Sequence, residues 1–202
     1  MKAASHPTQS FIIKEVNMDP FEQHVFDAIY ARRSIRAYQE GREVEQEKIM
    51  NLLKAAMAAP SACNIQPWEF VVVTDKETTS SIKQSIPQFG NYNAPLIIVV
   101  CSYAKYIPWE NDEGLVDCSA AIENMLIAAT AMQLGSVWIG GFDRAAIRSI
   151  LDIPEHVVPA GVIYFGYPAE HPEPRTKYVE EAVYWQKYDP EREHEHRPGS
   201  LI

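Results

Sequence analysis

Three arginines and a serine lie close together in an otherwise acidic chain. Arg32, Arg33, Ser34 and Arg36 form its densest basic cluster, although the whole sequence has 18 Lys and Arg against 27 Asp and Glu, a net charge of −9 at pH 7. Guanidinium groups bind phosphate, or carbonyl and ring-nitrogen acceptors, through paired hydrogen bonds. The cluster therefore predicts an anion site. An equal alternative is a helix C-terminus whose arginines complement the helix dipole.

A second polar cluster lies in a short loop rich in proline. Pro60 and Pro67 stiffen its backbone, and Ser61, Asn64 and Gln66 between them carry groups that both donate and accept hydrogen bonds. A rigid loop with hydroxyl and amide groups suits a polyol or a heterocycle better than a metal ion. The alternative is an ordinary connection between a helix and a strand.

Secondary structure is predicted on both sides of each cluster. A helix begins with the capping pattern Asp19–Glu22 and reaches about Ala31, directly before the arginines. A second helix, 45–58, has one apolar stripe and ends before Pro60. Strands are predicted at 70–73, 96–100, 137–139 and 161–165, and a short helix after Asp143. The first two strands lack polar alternation, which is typical of strands covered on both faces. The mixture predicts an α+β or α/β protein.

One further helix is apolar on nearly every side. It runs from Val116 to Leu134, and Gly135 is its predicted C-terminal stop. Such a helix must be buried all round, at the centre of the domain or at a subunit interface. Asp117 and Glu123 interrupt its apolar character, so it is a poor membrane span and no membrane association is predicted.

Length, charge and cysteine content exclude several classes of protein. A chain of 202 residues fits one domain, and its acidic balance argues against nucleic-acid binding. Its three cysteines form no CxxC pair and its N-terminus has no signal-peptide core, which together predict a cytoplasmic protein without disulfides. The composition suggests an N-terminal extension at 1–18, one domain with a C-terminal arm at 19–188, and a charged tail at 189–202.

The two polar clusters together resemble the FMN-dependent nitroreductase family. The motifs that carry this resemblance are RRSIRAY at 32–38 and AAPSACNIQPWEFVVV at 58–73. Shorter segments agree in order and spacing: 138–142, 153–155, 166–168 and 174–178. The resemblance covers roughly residues 20 to 188.

This resemblance implies an α+β fold with a central, mostly antiparallel sheet flanked by helices, in an intertwined homodimer with FMN sites at the interface. It implies an enzyme that takes hydride from NADH or NADPH through flavin N5. By a ping-pong route, the enzyme would pass two electrons to nitroaromatics, quinones or related small-molecule acceptors. The cofactor carries the hard chemistry, so no catalytic side chain and no metal site is expected. The alternatives are a relative with other flavin chemistry (enone reduction, dehalogenation or flavin destruction) and a flavin-binding protein with little turnover.

The resemblance also assigns FMN-binding roles by position. Contacts to the phosphate, the ribityl chain and the N1/O2 edge fall to Arg32, Arg33, Ser34 and Arg36. The residues that would line the flavin from the other subunit are Pro60, Ser61, Ala62, Asn64 and Gln66. Backbone amides near N5 and O4 would come from Ile139, Gly140 and Gly141, and the phosphate clamp would be completed by Arg175 and Lys177. Some family members have an acidic side chain where this sequence has Gly140, so only the backbone role transfers there.

Overall fold

A computed structural model describes residues 19–86, 91–103, 114–175 and 178–191 of the chain. The chain divides into two compact units, Met1–His171 and Pro172–Ile202. The first unit contains the helices α1 Pro20–Ala31, α2 Gln46–Met57, α3 Lys76–Gln84, α4 Leu115–Ala131 and α5 Arg144–Ile150. Its strands are β1 Trp68–Val73, β2 Leu96–Tyr103, β3 Gly135–Ile139 and β4 Val157–Gly166.

The four strands form one antiparallel sheet in the order β1-β2-β4-β3. Side chains of β2 alternate between its two faces, as strand geometry requires. Leu96, Ile98 and Val100 pack with α2 and α4, whereas Ile97 and Val99 pack with α3 and α5. The sheet therefore lies between two helical layers, which confirms the α+β prediction with a mostly antiparallel sheet flanked by helices.

The expectation that the first two strands are covered on both faces holds for only one of them. In β2 all side chains are buried except that of Tyr103. The prediction was wrong for β1, where Val72 is 39% exposed and Phe70 and Val71 are only half-buried. The difference follows from position, because β2 is central and β1 is an edge strand.

Helix α1 begins as the sequence predicts. The Asp19 carboxylate accepts from the Phe21 and Glu22 amides, and the Glu22 carboxylate accepts from the Asp19 amide. Yet no residue of α1 is buried. Its apolar side chains remain partly or largely exposed: Phe21, Val25, Phe26, Ile29 and Tyr30. The single chain therefore leaves an apolar helix face open to solvent.

Helix α4 is shorter than predicted, and Gly135 does not end it. The helix stops at Ala131, and the chain turns through Gln133 with a left-handed φ of 62°. Gly135 instead begins β3, where a Cβ atom would lie 2.8 Å from Ile35 Cγ2. The burial is also incomplete, because Val116 is 63% exposed on the single chain.

Helix α3 was absent from the sequence-based prediction. It is largely polar, and only Thr79 and Ile82 are buried, so its apolar periodicity is weak. The Asp75 carboxylate, which accepts from the Thr78 amide, is the N-cap signal that marks its start. In the described part of the chain, no helix has the length and apolar character to span a membrane.

The second unit contains a short 3₁₀ turn, Glu180–Ala182, and a stacked pair of rings, Tyr184 and Tyr188, with centroids 4.4 Å apart. The predicted extension at 1–18 and most of the predicted tail lie outside the described residues. The domain boundaries suggested by composition therefore stay predictions.

Candidate functional site

A cavity of about 350 Å³ opens where the segment after α1 meets β3 and α4. It is lined by Arg32, Ser34, Glu123, Leu126, Ser136, Val137, Trp138 and Gly140. Arg32, Ser34 and Gly140 are predicted site residues that lie far apart in sequence. The fold therefore brings one arginine, one serine and one glycine of the predicted set to the same space.

Residues 32–36, here called the basic segment, are held against the edge of the sheet. The Ile35 amide donates to the Ser136 carbonyl at 2.9 Å, and Ser34 pairs with Ser136 as an isolated parallel bridge. The Tyr38 hydroxyl, which is buried, donates to the Ile35 carbonyl at 2.7 Å. Burial raises the pKa of Tyr38 well above its usual range, so its hydroxyl remains a donor. These contacts fix the backbone that carries Arg32 and Ser34.

Arg32 lies beside an acidic side chain in this cavity. Its Nε atom is 3.5 Å from Glu123 Oε1, and the side chains are 32% and 49% exposed. Ion pairs with this much exposure contribute about 0.2–1 kcal/mol. The pair is therefore weak enough for a more strongly charged anion to compete for the guanidinium.

The other two arginines of the basic segment do not line the cavity on this chain. Arg33 donates from Nη1 to the carbonyls of Tyr30 and Arg32, at 2.6 and 2.7 Å. It therefore occupies the end of α1, as the alternative interpretation of the cluster expected. Arg36 donates from Nη1 to the Ser34 carbonyl at 3.1 Å, and its amide donates to Glu170.

Two residues of β3 that line the cavity each carry a buried polar atom that has no partner among the described residues. They are Ser136, through Oγ, and Trp138, through Nε1. Buried polar atoms in native proteins nearly always have a partner. Trp138 Nε1 lies against Gly161 of β4, where an added Cβ atom would be 2.6 Å away, so of the two atoms only the Ser136 hydroxyl is a candidate for a ligand or water. Sequence reasoning missed Ser136 and Glu123. Their signal was a polar residue beside an apolar strand and one of the two acids in an otherwise apolar helix.

Gly140 and Gly141 follow β3 and are exposed. A Cβ atom built on either glycine has no atom within 4 Å. Packing in this chain therefore does not require glycine there, and the space beside the backbone is open to a ligand. Ile139, at the end of β3, is 7% exposed and belongs to the core.

Residues 60–66, here called the polar loop, do not line this cavity. Cys63, Asn64 and Gln66 have left-handed φ angles of 50°, 56° and 53°, a strained conformation for residues other than glycine. The Ser61 hydroxyl accepts from the Gln66 amide at 2.9 Å, and Gln66 Nε2 donates to Asn64 Oδ1 at 2.9 Å. The predicted loop residues thus form one strained and largely exposed unit, separate from the cavity of the same chain.

A buried carboxylate contacts the polar loop. Asp117, in the first turn of α4, is 6% exposed, and its Oδ1 atom accepts from the Ala62 amide at 3.1 Å. Its Oδ2 atom has no partner among the residues that the structure describes. One sequence signal marks this residue, an acid at the start of an apolar helix, and from the sequence alone that acid argues only against a membrane span.

The two C-terminal candidates lie beyond the unit that contains the cavity. Arg175 is exposed and belongs to the second unit, and Lys177 lies outside the described residues. No group of three or more His, Cys, Asp and Glu that could hold a metal occurs in the ranges covered by the structure.

Comparison with known proteins decides the family. The sequence model described as Nitroreductase family matches residues 29–89 and 80–167, more than half of the chain. The chain belongs to the nitroreductase family. Both polar clusters and β3 fall within the matched residues, so the resemblance drawn from the motifs is confirmed. As a nitroreductase-family member, the chain is an oxidoreductase.

Several known proteins are similar to this chain over most of their own length. A protein of Archaeoglobus fulgidus named as an NADH dehydrogenase/NAD(P)H nitroreductase is 45% identical over 148 residues, covering 70% of this chain and 84% of that protein. A crystal structure from Bacteroides thetaiotaomicron with the same name has a TM-score of 0.73 and 36% identity, covering 81% of this chain and 98% of the other. A Bacillus subtilis protein named FMN reductase (NADPH) is 24% identical over 181 residues, 80% of this chain and 72% of that protein.

Proposed function

We propose that this nitroreductase-family chain is an FMN-dependent NAD(P)H oxidoreductase that reduces nitroaromatics, quinones or related small-molecule acceptors. The observation that carries the proposal is the cavity between the basic segment, β3 and α4, because it joins a guanidinium, two serines and an open backbone at Gly140. The names of the relatives support NAD(P)H as the reductant and FMN as the flavin. When bound, FMN would supply the two-electron chemistry, taking a hydride from the nucleotide and passing electrons to the acceptor.

The residues that line the cavity fit the polar part of FMN. A phosphate needs charged and neutral donors, which Arg32, Ser34 and the unpartnered Ser136 hydroxyl supply. Arg33 and Arg36 add positive charge within the basic segment. We propose Arg175 and Lys177 as the remaining contacts to the phosphate. Positive charge beside a flavin ring favours its reduced, anionic state, so the basic segment would assist hydride acceptance.

The proposed working unit is a homodimer. Helix α1 exposes apolar side chains, with Phe21 at 78% and Tyr30 at 65% exposure, and Val116 of α4 is also exposed. Apolar patches of this kind mark interfaces. In the dimer, Pro60, Ser61, Ala62, Asn64 and Gln66 would line the partner's flavin, while Ile139, Gly140 and Gly141 would present backbone to the flavin of their own chain. This division of the site explains why the polar loop does not line the cavity of its own chain.

A cytoplasmic location is proposed from the cysteines. The three cysteines, Cys63, Cys101 and Cys118, form no disulfide, and burial raises the pKa of Cys101 to about 12. A protein whose cysteines form no disulfide suits a reducing compartment.

The deciding experiment combines cofactor binding with turnover. Purified full-length protein is mixed with FMN, passed over a desalting column and examined by absorbance. Oxidation of NADH and of NADPH is then followed with menadione or a nitrofuran as acceptor, and the mass is measured by sedimentation. The proposal expects a yellow dimer that oxidises at least one nucleotide in an acceptor-dependent way. Protein that stays colourless contradicts the cofactor, and a yellow protein without turnover favours a flavin-binding role instead.

A further inference from the structure

From the contact between α4 and the polar loop, we infer that Asp117 is a positioning residue that holds residues 60–66 in the shape needed to line a flavin. The inference rests on the proposed function, because it concerns the loop that would reach the partner's cofactor. Asp117 would touch neither the flavin nor the substrate and would act through the backbone of Ala62.

The polar loop has a conformation that needs external support. Three of its residues, Cys63, Asn64 and Gln66, adopt left-handed φ angles. Strained backbone of this kind persists only where the surroundings over-determine it, and it is concentrated at functional sites. Released from its contacts, such a segment relaxes toward commoner dihedral angles, and its side chains then change direction.

The hydrogen bonds inside the loop do not anchor it to the rest of the domain. The bonds between Ser61 and Gln66 and between Gln66 and Asn64 join loop residues to each other. Among the described residues, the hydrogen bond that ties the polar loop to another element is that from the Ala62 amide to Asp117 Oδ1, at 3.1 Å. A bond from an amide to a carboxylate is stronger than one between neutral groups, so this single contact is a suitable anchor.

The place of Asp117 in α4 explains how it can hold the loop rigidly. Asp117 lies in the first turn of the helix, where the helix dipole stabilises a carboxylate. The N-cap residue, Gly114, makes no side-chain hydrogen bond to this turn. The Asp117 side chain is almost fully buried, with one oxygen unpartnered among the described residues. Burying a carboxylate in this incompletely paired state opposes folding. Its presence is therefore better explained by the loop that it holds than by stability.

Helix α4 also connects the loop to the cavity. Glu123, beside Arg32, follows Asp117 by six residues, which is a rise of about 9 Å along the helix. In the proposed dimer these two contacts serve different flavins, one in each subunit. A single rigid helix would thus position both the polar loop and the cavity of the chain.

The test compares Asp117→Ala with Asp117→Asn, because asparagine keeps an oxygen that can accept from the Ala62 amide. Hydrogen–deuterium exchange of the peptide covering 60–67 is measured on the full chain without FMN, and FMN affinity and the visible spectrum of bound FMN are measured separately. We expect Asp117→Ala to speed exchange in this peptide about tenfold, weaken FMN binding about tenfold and alter the flavin spectrum. We expect Asp117→Asn to stay within about twofold of the unmodified protein.

A control separates positioning from general destabilisation. Ile82→Val removes one methyl group in α3, in the core cluster on the other face of the sheet from α4, and should lower the melting temperature without changing exchange at 60–67 or the flavin spectrum. If Asp117→Ala does not fold, Ala62→Pro tests the same bond from the donor side, since proline has no N–H.

The outcomes distinguish this inference from the proposed function. If the unmodified protein binds no FMN, the proposed FMN-dependent function is refuted. The exchange data would still show whether Asp117 holds the polar loop in place. If the unmodified protein binds FMN and Asp117→Ala shows unchanged exchange, affinity and spectrum, the positioning role alone is refuted. Asp117→Asn with exchange as fast as Asp117→Ala would also overturn it, because the accepted hydrogen bond would then not be the cause.

Discussion

The carboxylate of Glu123 lies 3.5 Å from Nε of Arg32, so an acid of α4 contacts the guanidinium that we propose binds the FMN phosphate. A phosphate entering the cavity would meet both the attraction of Arg32 and the repulsion of Glu123. The affinity for the cofactor therefore depends on a balance between these two side chains.

Replacing Glu123 by Gln should strengthen FMN binding. Removing a partly exposed negative charge beside the phosphate is worth about 0.5–1 kcal/mol, or two- to fivefold in the dissociation constant. Fluorescence titration of FMN at low and high salt measures this, and the gain should shrink as salt screens the charge. Glu47→Gln, an exposed acid of α2, makes the same charge change outside the cavity and should have no effect. Weaker binding in Glu123→Gln would instead indicate that the acid orients Arg32.

Removing the arginine itself should have the opposite effect. Arg32→Ala loses a charge-assisted hydrogen bond of about 1.5–3 kcal/mol and should weaken FMN binding by roughly 10- to 150-fold. Equilibrium dialysis against FMN measures the change. Arg144→Ala, at the exposed start of α5, removes the same charge elsewhere. Equal affinities in the two variants would remove Arg32 from the proposed site.

Ser136→Ala should separate binding from stability. The Ser136 hydroxyl is buried without a partner among the described residues, so its loss should leave the melting temperature of the cofactor-free protein unchanged or raised. If that hydroxyl donates to FMN, the dissociation constant should rise about fivefold. Thr79→Val, which removes another such hydroxyl on α3, should affect stability alone. Thermal melts with and without FMN report both quantities, and a Ser136→Ala protein with unchanged FMN affinity excludes the contact.

Two glycines near the cavity should respond differently to alanine. In Gly135→Ala the new Cβ atom would lie 2.8 Å from Ile35 Cγ2, and relief of that clash would push on the basic segment. Overpacking of this kind costs about 1–3 kcal/mol, so unfolding in urea should occur at a lower concentration. Gly140→Ala meets no atom within 4 Å and should unfold like the unmodified protein, yet bind FMN more weakly if the flavin lies against its backbone. Equal stability of both variants would contradict the packing at β3.

Stability should fall at alkaline pH because of a buried tyrosine. Burial raises the pKa of Tyr38, so its contribution is fully present below the unfolded value of about 10 and is lost progressively as pH rises above it. Tyr38→Phe should reduce the drop in melting temperature between pH 8 and pH 11. At pH 7 the same variant should be less stable by about 1 kcal/mol, since it lacks the bond to the Ile35 carbonyl. A drop between pH 8 and pH 11 as large as in the unmodified protein would show that other groups cause it.

Local sequence signals predicted much of the fold. The capping pattern at Asp19, the apolar stripe of α2 and the β-branched run of β2 are local, because each depends on neighbours within a few residues. Helix α3 escaped prediction because its stability comes from two buried side chains and one N-cap rather than from a periodic stripe. The early end of α4 escaped because Gln133 takes the left-handed conformation that the prediction gave to glycine.

By itself, the sequence determined most of the elements, the two polar clusters and the family. The tertiary structure decided which of those polar residues share a space. Arg32, Ser34 and Gly140 line one cavity because the Ile35 amide bonds to the Ser136 carbonyl of β3, a contact between segments about one hundred residues apart. Arg33 turns instead to the carbonyl groups at the end of α1. Such choices depend on long-range packing and on competition among hydrogen-bond acceptors, which residue types and spacing do not encode.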